Sequence, residues 1–288
     1  MTFSKPITEI IQARFSCRTY SERPLEEATR QRLAEFAAST PSGPFGTRPR
    51  FELVAASEGD RAALRGLGTY GFIRGATGFL IGATRDAEGN MEDFGYLMER
   101  IILFATDLGL GTCWLGGTYT KSSFSKKIAA RKGELVPAVA SVGYIAERRR
   151  AVDPVIRRGA DADRRYPWQQ LFFDDAFGRP LSREAAGAYA LPLEMVRLAP
   201  SASNKQPWRI VRLGSAWHFY LQRSRGYEER GLVQLWTRAD MQRIDLGIAM
   251  CHFELTAREL GLEGRWALAE PALARPEGPV QYIVSWIG

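Results

Sequence analysis

Cysteine and histidine are scarce in this sequence. Its 288 residues include three cysteines, Cys17, Cys113 and Cys251, and two histidines, His218 and His252. The cysteines are far apart, odd in number and form no C-x-x-C pair. That argues against a disulfide framework or a thiolate metal site and suits a reduced, cytoplasmic setting. Two histidines leave no basis for a histidine-rich zinc site, so no metal is expected. No stretch approaches the roughly 18 to 20 apolar residues of a membrane span. The opening "MTFSKPITEIIQARFSCRTY" has no apolar block or small-residue cleavage site of a signal peptide. G-x-S-x-G, H-E-x-x-H and P-loop patterns are also missing, so hydrolase, zincin and NTPase readings have no foothold. "GLGTYG" (66–71) matches G-x-G-x-x-G in form only. A dinucleotide fingerprint needs a strand before it and a helix after it, and here the order is reversed.

Acidic residues are outnumbered 32 to 39, giving a formal charge of +7. This favours anionic partners and says nothing about fold. Much of the excess lies in 145–168, "IAERRRAVDPVIRRGADADRRYPW", with seven Arg against four acids. Acids interrupt the run and no recognition helix accompanies it, so it reads as a solvated connector, and nucleic acid is not the expected partner.

What the chain does contain, it contains twice. "DFGYLMERIILFATDLGLGTCW" (93–114) aligns with "DLGIAMCHFELTARELGLEGRW" (245–266) at an offset of 152. Residues 41–51 align with 200–210 at 159, and "TYSERPL" (19–25) echoes "AFGRPL" (176–181), pairing Tyr20 with Phe177 at 157. Three matches in unchanged order, with offsets drifting by a few residues, indicate a duplication with small insertions and deletions. Expected boundaries are a first half over 1–146, an Arg-rich connector over 147–166 and a second half over 167–288.

Each half reads as α+β. In the first, 24–38 begins with Pro at a helical first turn. Phe94, Leu97, Ile101, Phe104, Ala105 and Leu108 share one helical face. Phe51 to Ala55, Gly78 to Ala83 and Val136 to Ile145 read as strands. In the second, helices are expected near 182–197 and 241–260, and strands near 209–213, 216–221, 264–269 and 279–286. The two long helices suit packing against each other, a dimer on one chain.

Three stretches could carry chemistry. "RFSCR" places Arg14, Ser16 and Arg18 at a helix end, with donors for one phosphate; read alone, it is equally an exposed basic helix end. "GLGTCWLGG" (109–117) ends in Gly116 and Gly117, whose backbone a flat ligand can approach, or it is simply a glycine-rich turn. "APSASNKQPWR" (199–209) offers Ser201, Ser203 and Asn204, or no more than an Asx/Ser turn.

The halves differ in what they keep. Opposite Arg14, Ser16 and Arg18 stand Leu171, Phe173 and Asp175, and opposite Leu115, Gly116 and Gly117 stand Ala267, Leu268 and Ala269. The Ser/Asn stretch is intact in the second half and altered to Pro44, Phe45 and Thr47 in the first. In a two-fold dimer with sites at the interface, each site draws different parts from each subunit. After fusion one site can be kept while the other decays, which accounts for this complementary loss.

Together, R-x-S-x-R, "APSASNxQPW" and "GLGTCWLGG" resemble the nitroreductase family of FMN-dependent oxidoreductases, in particular a single-chain branch of two halves forming an intramolecular pseudo-dimer. The resemblance implies a nitroreductase-like α+β fold with one FMN at the interface of the halves. It implies that Arg14, Ser16 and Arg18 hold the FMN phosphate and ribityl chain, Phe15 contributing only its backbone. Leu115, Gly116 and Gly117 would approach the flavin ring, and Pro200, Ser201, Ala202, Ser203 and Asn204 would line it from the other half. Arg165, or its neighbour Arg164, would reach the phosphate. NAD(P)H would be the electron donor, and a nitroaromatic, quinone or flavin the small-molecule acceptor. No catalytic side chain is expected, because the flavin carries the chemistry. A lid is expected near 222–240. A non-catalytic flavin store or sensor, or a basic anion-binding protein, is the alternative.

Overall fold

A computed structural model describes residues 2–57, 62–147, 164–224, 239–276 and 278–288. Residues 148–163 of the Arg-rich connector and 225–238 of the expected lid lie outside the described residues.

Two five-stranded sheets form, one from each half of the sequence. The first contains β1 (Arg50–Ala55), β2 (Gly78–Arg85), β3 (Gly111–Leu115), β4 (Glu134–Leu135) and β5 (Val139–Gly143) in the order β1-β2-β5-β3, with β4 beside β2. The second contains β6 (Phe172–Asp174), β7 (Trp208–Leu213), β8 (Ala216–Gln222), β9 (Arg265–Ala267) and β10 (Val280–Ile287) in the order β6-β7-β8-β10-β9. Setting β7, β8, β10 and β9 against β1, β2, β5 and β3 gives the same antiparallel order. β2 is buried along nearly its whole length because both faces of its sheet are covered. Its side chains alternate as a pleated strand requires: Leu80 faces the main core, while Phe79, Ile81 and Ala83 face a second cluster with Tyr119 and Phe124.

The helices are α1 (Ile7–Ala13), α2 (Glu27–Ala38), α3 (Asn90–Asp107), α4 (Lys121–Lys127), α5 (Trp168–Leu171), α6 (Arg183–Ala186), α7 (Ala190–Leu198) and α8 (Met241–Glu259). Among the described residues, no helix is long and apolar enough to cross a membrane. Asp240 caps α8, its carboxylate accepting from the Gln242 and Arg243 amides at 3.1 and 3.2 Å.

α3 and α8 pack backbone to backbone. A Cβ on Gly95 would overlap the Ile244 carbonyl, and one on Gly247 would overlap the Glu92 carbonyl. Both members of this contact are related by the same offset of 152, so each helix presents to the other the patch that it receives. The main core runs without a break from Ile7 to Trp286 through both halves. α1 crosses the division as well: Ile7, Ile10 and Ile11 are buried, and Glu259 of α8 accepts from the Ile7 and Thr8 amides.

Three expectations change in detail. The strand expected over Val136 to Ile145 is shortened to β5, Val139–Gly143; β4 precedes the expected span, and Pro137, which has no amide hydrogen to donate, lies between the two. The helix expected near 182–197 breaks into α6, a 3-10 turn at Gly187–Tyr189, and α7, because Gly187 adopts φ 56°. The segments following the first helix of each half also diverge. Ser16 bridges in parallel to Thr112 at the β3 edge, whereas β6 runs parallel to β7 at the opposite edge of its own sheet. Leu171 is therefore core and Asp175 pairs with Arg179 at the surface.

Candidate functional site

α1 ends at Ala13, and Arg14 turns into extended backbone. The chain then runs beside β3: Ser16 bridges Thr112, and the Cys17 amide donates to the Thr112 carbonyl at 2.8 Å. This pairing brings "RFSCR" against "GTCWLGG". The Cys113 thiol reports the same convergence. Burial pushes its pKa up, while the charges of Arg18 and Arg14 and a hydrogen bond with Ser16 pull it down. Phe15 packs half-buried on the second cluster, and the Arg18 Nη1 reaches the Ser16 carbonyl at 3.4 Å.

Arg14 is the unusual member. Its side chain is 6 % exposed, and its nearest charge is Glu99, Nε to Oε1 at 3.7 Å. Nε has no hydrogen-bond partner, and the guanidinium makes no hydrogen bond to any described residue. Glu99 is itself fully buried and accepts from the Trp114 indole at 2.7 Å. Its other oxygen lies 3.0 Å from His252 Nε2, and His252 Nδ1 lies 2.9 Å from the Met195 carbonyl.

The loop of the second half is held in strained backbone. Ser203, Asn204 and Gln206 have φ of 51°, 53° and 46°, a region that non-glycine residues adopt only when surroundings impose it. Several restraints impose it here. The Ser201 hydroxyl accepts from the Gln206 amide at 2.9 Å, and the Ala202 amide donates to Asp245 Oδ1 at 2.9 Å. Asn204 Nδ2 donates to the Arg164 carbonyl at 2.7 Å, and Gln206 Oε1 accepts from the Tyr166 amide at 2.8 Å. Arg165 joins them, donating to Asn204 Oδ1 and to the Leu198 carbonyl, each at 3.3 Å. The structure thus brings Arg164, Arg165 and Asn204 together, with the Asn204 amide occupied in fixing backbone. Pro200, Ser201 and Ala202 are half-buried, while Ser203 and Arg164 are exposed.

At the end of β3, Leu115 is buried and Gly117 is open. Gly116 is approached by the Met241 side chain, which occupies the space a Cβ would need. The close approach expected of this glycine is therefore made by a flexible side chain from the second half.

One helix face organises these parts. Along α8, Met241 covers Gly116, Asp245 holds Ala202, His252 reaches Glu99 beside Arg14, and Glu259 caps α1. Spacings of four, seven and seven residues put all four on one side of a helix. α8 relates Arg14 to the 200–204 loop, reaching Glu99 beside the first and Ala202 in the second.

Asp245 has an orphan. It is fully buried, and Oδ2 has no partner among the described residues. Burial pushes its pKa well up, with one opposing hydrogen bond from Ala202. Its counterpart at the 152 offset, Asp93, accepts from the Phe45 amide, the Thr47 amide and the Thr47 hydroxyl, each at 2.8 Å. The altered loop satisfies its aspartate; the intact loop leaves one oxygen unmet.

Sequence reading missed Glu99, His252, Asp245 and Met241. Asp245 carried a signal, since it coincides with Asp93 in the repeat. Glu99 and His252 carried only the hint of polar groups within long helices expected to be largely buried.

The family model described as "Putative TM nitroreductase" matches residues 6–257. The chain belongs to this nitroreductase family. Among solved structures, a "putative nitroreductase" from Thermotoga maritima MSB8 is 19% identical with a TM-score of 0.60, over 100% of this chain and 95% of that one. This likeness shows the nitroreductase fold over the whole length. A nitroreductase with bound FMN from Bacteroides fragilis NCTC 9343 is 21% identical with a TM-score of 0.39, over 51% of this nitroreductase-family chain and 92% of its own. No curated protein matches the sequence.

Proposed function

We propose that the chain is an FMN-dependent oxidoreductase with one FMN site per chain, at the interface of two duplicated halves. The observation that carries this reading is Arg14: a guanidinium on a side chain 6 % exposed, at the end of a helix, with no hydrogen bond to the described residues. Removing such a group from water without hydrogen bonds is strongly unfavourable. A phosphate supplies what is lacking, and charge-assisted bonds from guanidinium to phosphate are among the strong ones. The residues present therefore fit the group.

In this reading Arg14, Ser16 and Arg18 hold the phosphate and ribityl end. Arg165, already hydrogen-bonded to Asn204, adds a third cation from the end of the connector, and Arg164 contributes through the carbonyl that fixes Asn204. The backbone of Leu115, Gly116 and Gly117 lies against the ring once the Met241 side chain shifts. The 200–204 loop closes the site from the second half, its strained backbone presenting amides instead of helix. When bound, FMN would supply hydride transfer at N5 between NAD(P)H and a nitroaromatic, quinone or flavin acceptor. No side chain of this chain is assigned a proton transfer. The reciprocal Gly95 and Gly247 contacts support the duplication, and the asymmetric loops support a single surviving site.

The test is titration of the purified chain with FMN under anaerobic conditions, followed by NADH or NADPH. Saturable quenching of flavin fluorescence and bleaching of the bound flavin are expected. Binding without bleaching by either nucleotide would make the chain a flavin store or sensor. Absence of any flavin binding would overturn the proposal and leave a basic anion-binding protein.

A further inference from the structure

The contacts of Glu99 raise a question of charge. A buried carboxylate 3.7 Å from Arg14 ought to neutralise it and compete with any anionic ligand. His252 changes that balance. Its Nδ1 faces the Met195 carbonyl at 2.9 Å, which can only accept, so Nδ1 carries a hydrogen. Its Nε2 faces Glu99 Oε1 at 3.0 Å. A hydrogen bond there requires a second proton, on Nε2 or on the carboxyl. With the proton in either place, the Glu99–His252 pair is neutral as a whole. The indole of Trp114 satisfies the remaining oxygen without adding charge.

We infer that His252 is a positioning residue that neutralises Glu99 across the interface, so that Arg14 keeps its full charge for an anionic ligand group such as a phosphate. The inference rests on the proposed FMN site and adds a role for the second half beyond its loop. It accounts for two facts together: Arg14 lies near a carboxylate yet beyond hydrogen-bond reach of it, and a histidine with no solvent exposure is retained in the middle of α8. The repeat does not reproduce the arrangement. At the 152 offset, Glu99 corresponds to Cys251 and His252 to Arg100, so the device belongs to one side of the pseudo-dimer only. The second half also pairs a tryptophan with a carboxylate, Trp266 with Glu254 at 2.6 Å, but there the other half contributes the neutral Tyr96 hydroxyl at 2.9 Å.

The test compares FMN with riboflavin, which lacks the phosphate, in the wild-type chain and in His252→Gln, Glu99→Gln and the double variant, reading dissociation constants by flavin fluorescence. His252→Gln leaves Glu99 charged and uncompensated, and FMN affinity is expected to fall about tenfold while riboflavin affinity holds. Glu99→Gln and the double variant carry no uncompensated carboxylate and are expected to keep FMN affinity within about twofold of wild type. An unchanged FMN constant in His252→Gln overturns the inference. So does a loss in Glu99→Gln or the double variant as large as that in His252→Gln, which would make the cluster a packing element. Should His252→Gln fail to fold, the Glu99→Gln and double variants still decide it, since loss of FMN affinity in either contradicts the charge argument. If wild type itself binds no FMN, the proposed function fails first, a result distinct from any of these.

Discussion

The side chains of Arg14 and Asp245 are both buried, and each has an atom that nothing in the described chain satisfies. For Arg14 this points to a ligand. Arg14→Ala removes a charge-assisted bond of about 1.5–3 kcal/mol, so FMN should bind roughly ten- to a hundredfold more weakly while riboflavin is little affected. An equal loss for both ligands would place Arg14 away from the phosphate. Asp245 makes a pH prediction. Burial raises its folded pKa above the unfolded value of 3.8. Its contribution to stability is therefore fully present below that value and is lost as pH rises through the raised folded pKa. Asp245→Asn keeps an oxygen for the Ala202 amide and has nothing to ionise. Melting temperature against pH should show the variant gaining on wild type as pH rises from the acid side, and parallel curves would mean that Asp245 finds a partner or solvent.

Among elements, the α3–α8 pair depends on two positions without side chains. Alanine is the better helix former by up to roughly 1 kcal/mol, yet at Gly247 its Cβ would collide with the Glu92 carbonyl, and at Gly95 with that of Ile244. Neither obstacle is a side chain that can rotate away. Gly247→Ala and Gly95→Ala should each destabilise by about 1–3 kcal/mol, the range of overpacking, and chemical denaturation would measure it. A stabilised Gly247→Ala would mean that the helices are farther apart. Such helices were legible in sequence because a 3.6-residue period survives in Phe94, Leu97, Ile101, Phe104 and Leu108. The break at Gly187 was not, because its positive φ has no counterpart in hydrophobic pattern.

For the whole molecule, the arrangement of two similar sheets around one pair of helices predicts asymmetry in binding. Saturating the chain with FMN, removing the excess and measuring released flavin by absorbance should give one flavin per chain. Two per chain would show that the side carrying the 41–47 loop still binds, and the argument from complementary loss would fall. The sheets already differ at their edges, since Ser16 joins β3 while β6 joins β7.

By itself the sequence determined the α+β character, the aligned stretches with their offsets, the family, and where those stretches differ. These follow from local period, turn chemistry and residue identity, which need no partner to be read. Tertiary structure alone decided which groups meet: Glu99 with Arg14 and His252, Asp245 with Ala202, Met241 with Gly116. These contacts join residues 43 to 153 positions apart, and Arg14 and Glu99 are themselves 85 apart. Burial then changes what each group can do, because a charge or carboxyl removed from water is governed by the few atoms around it.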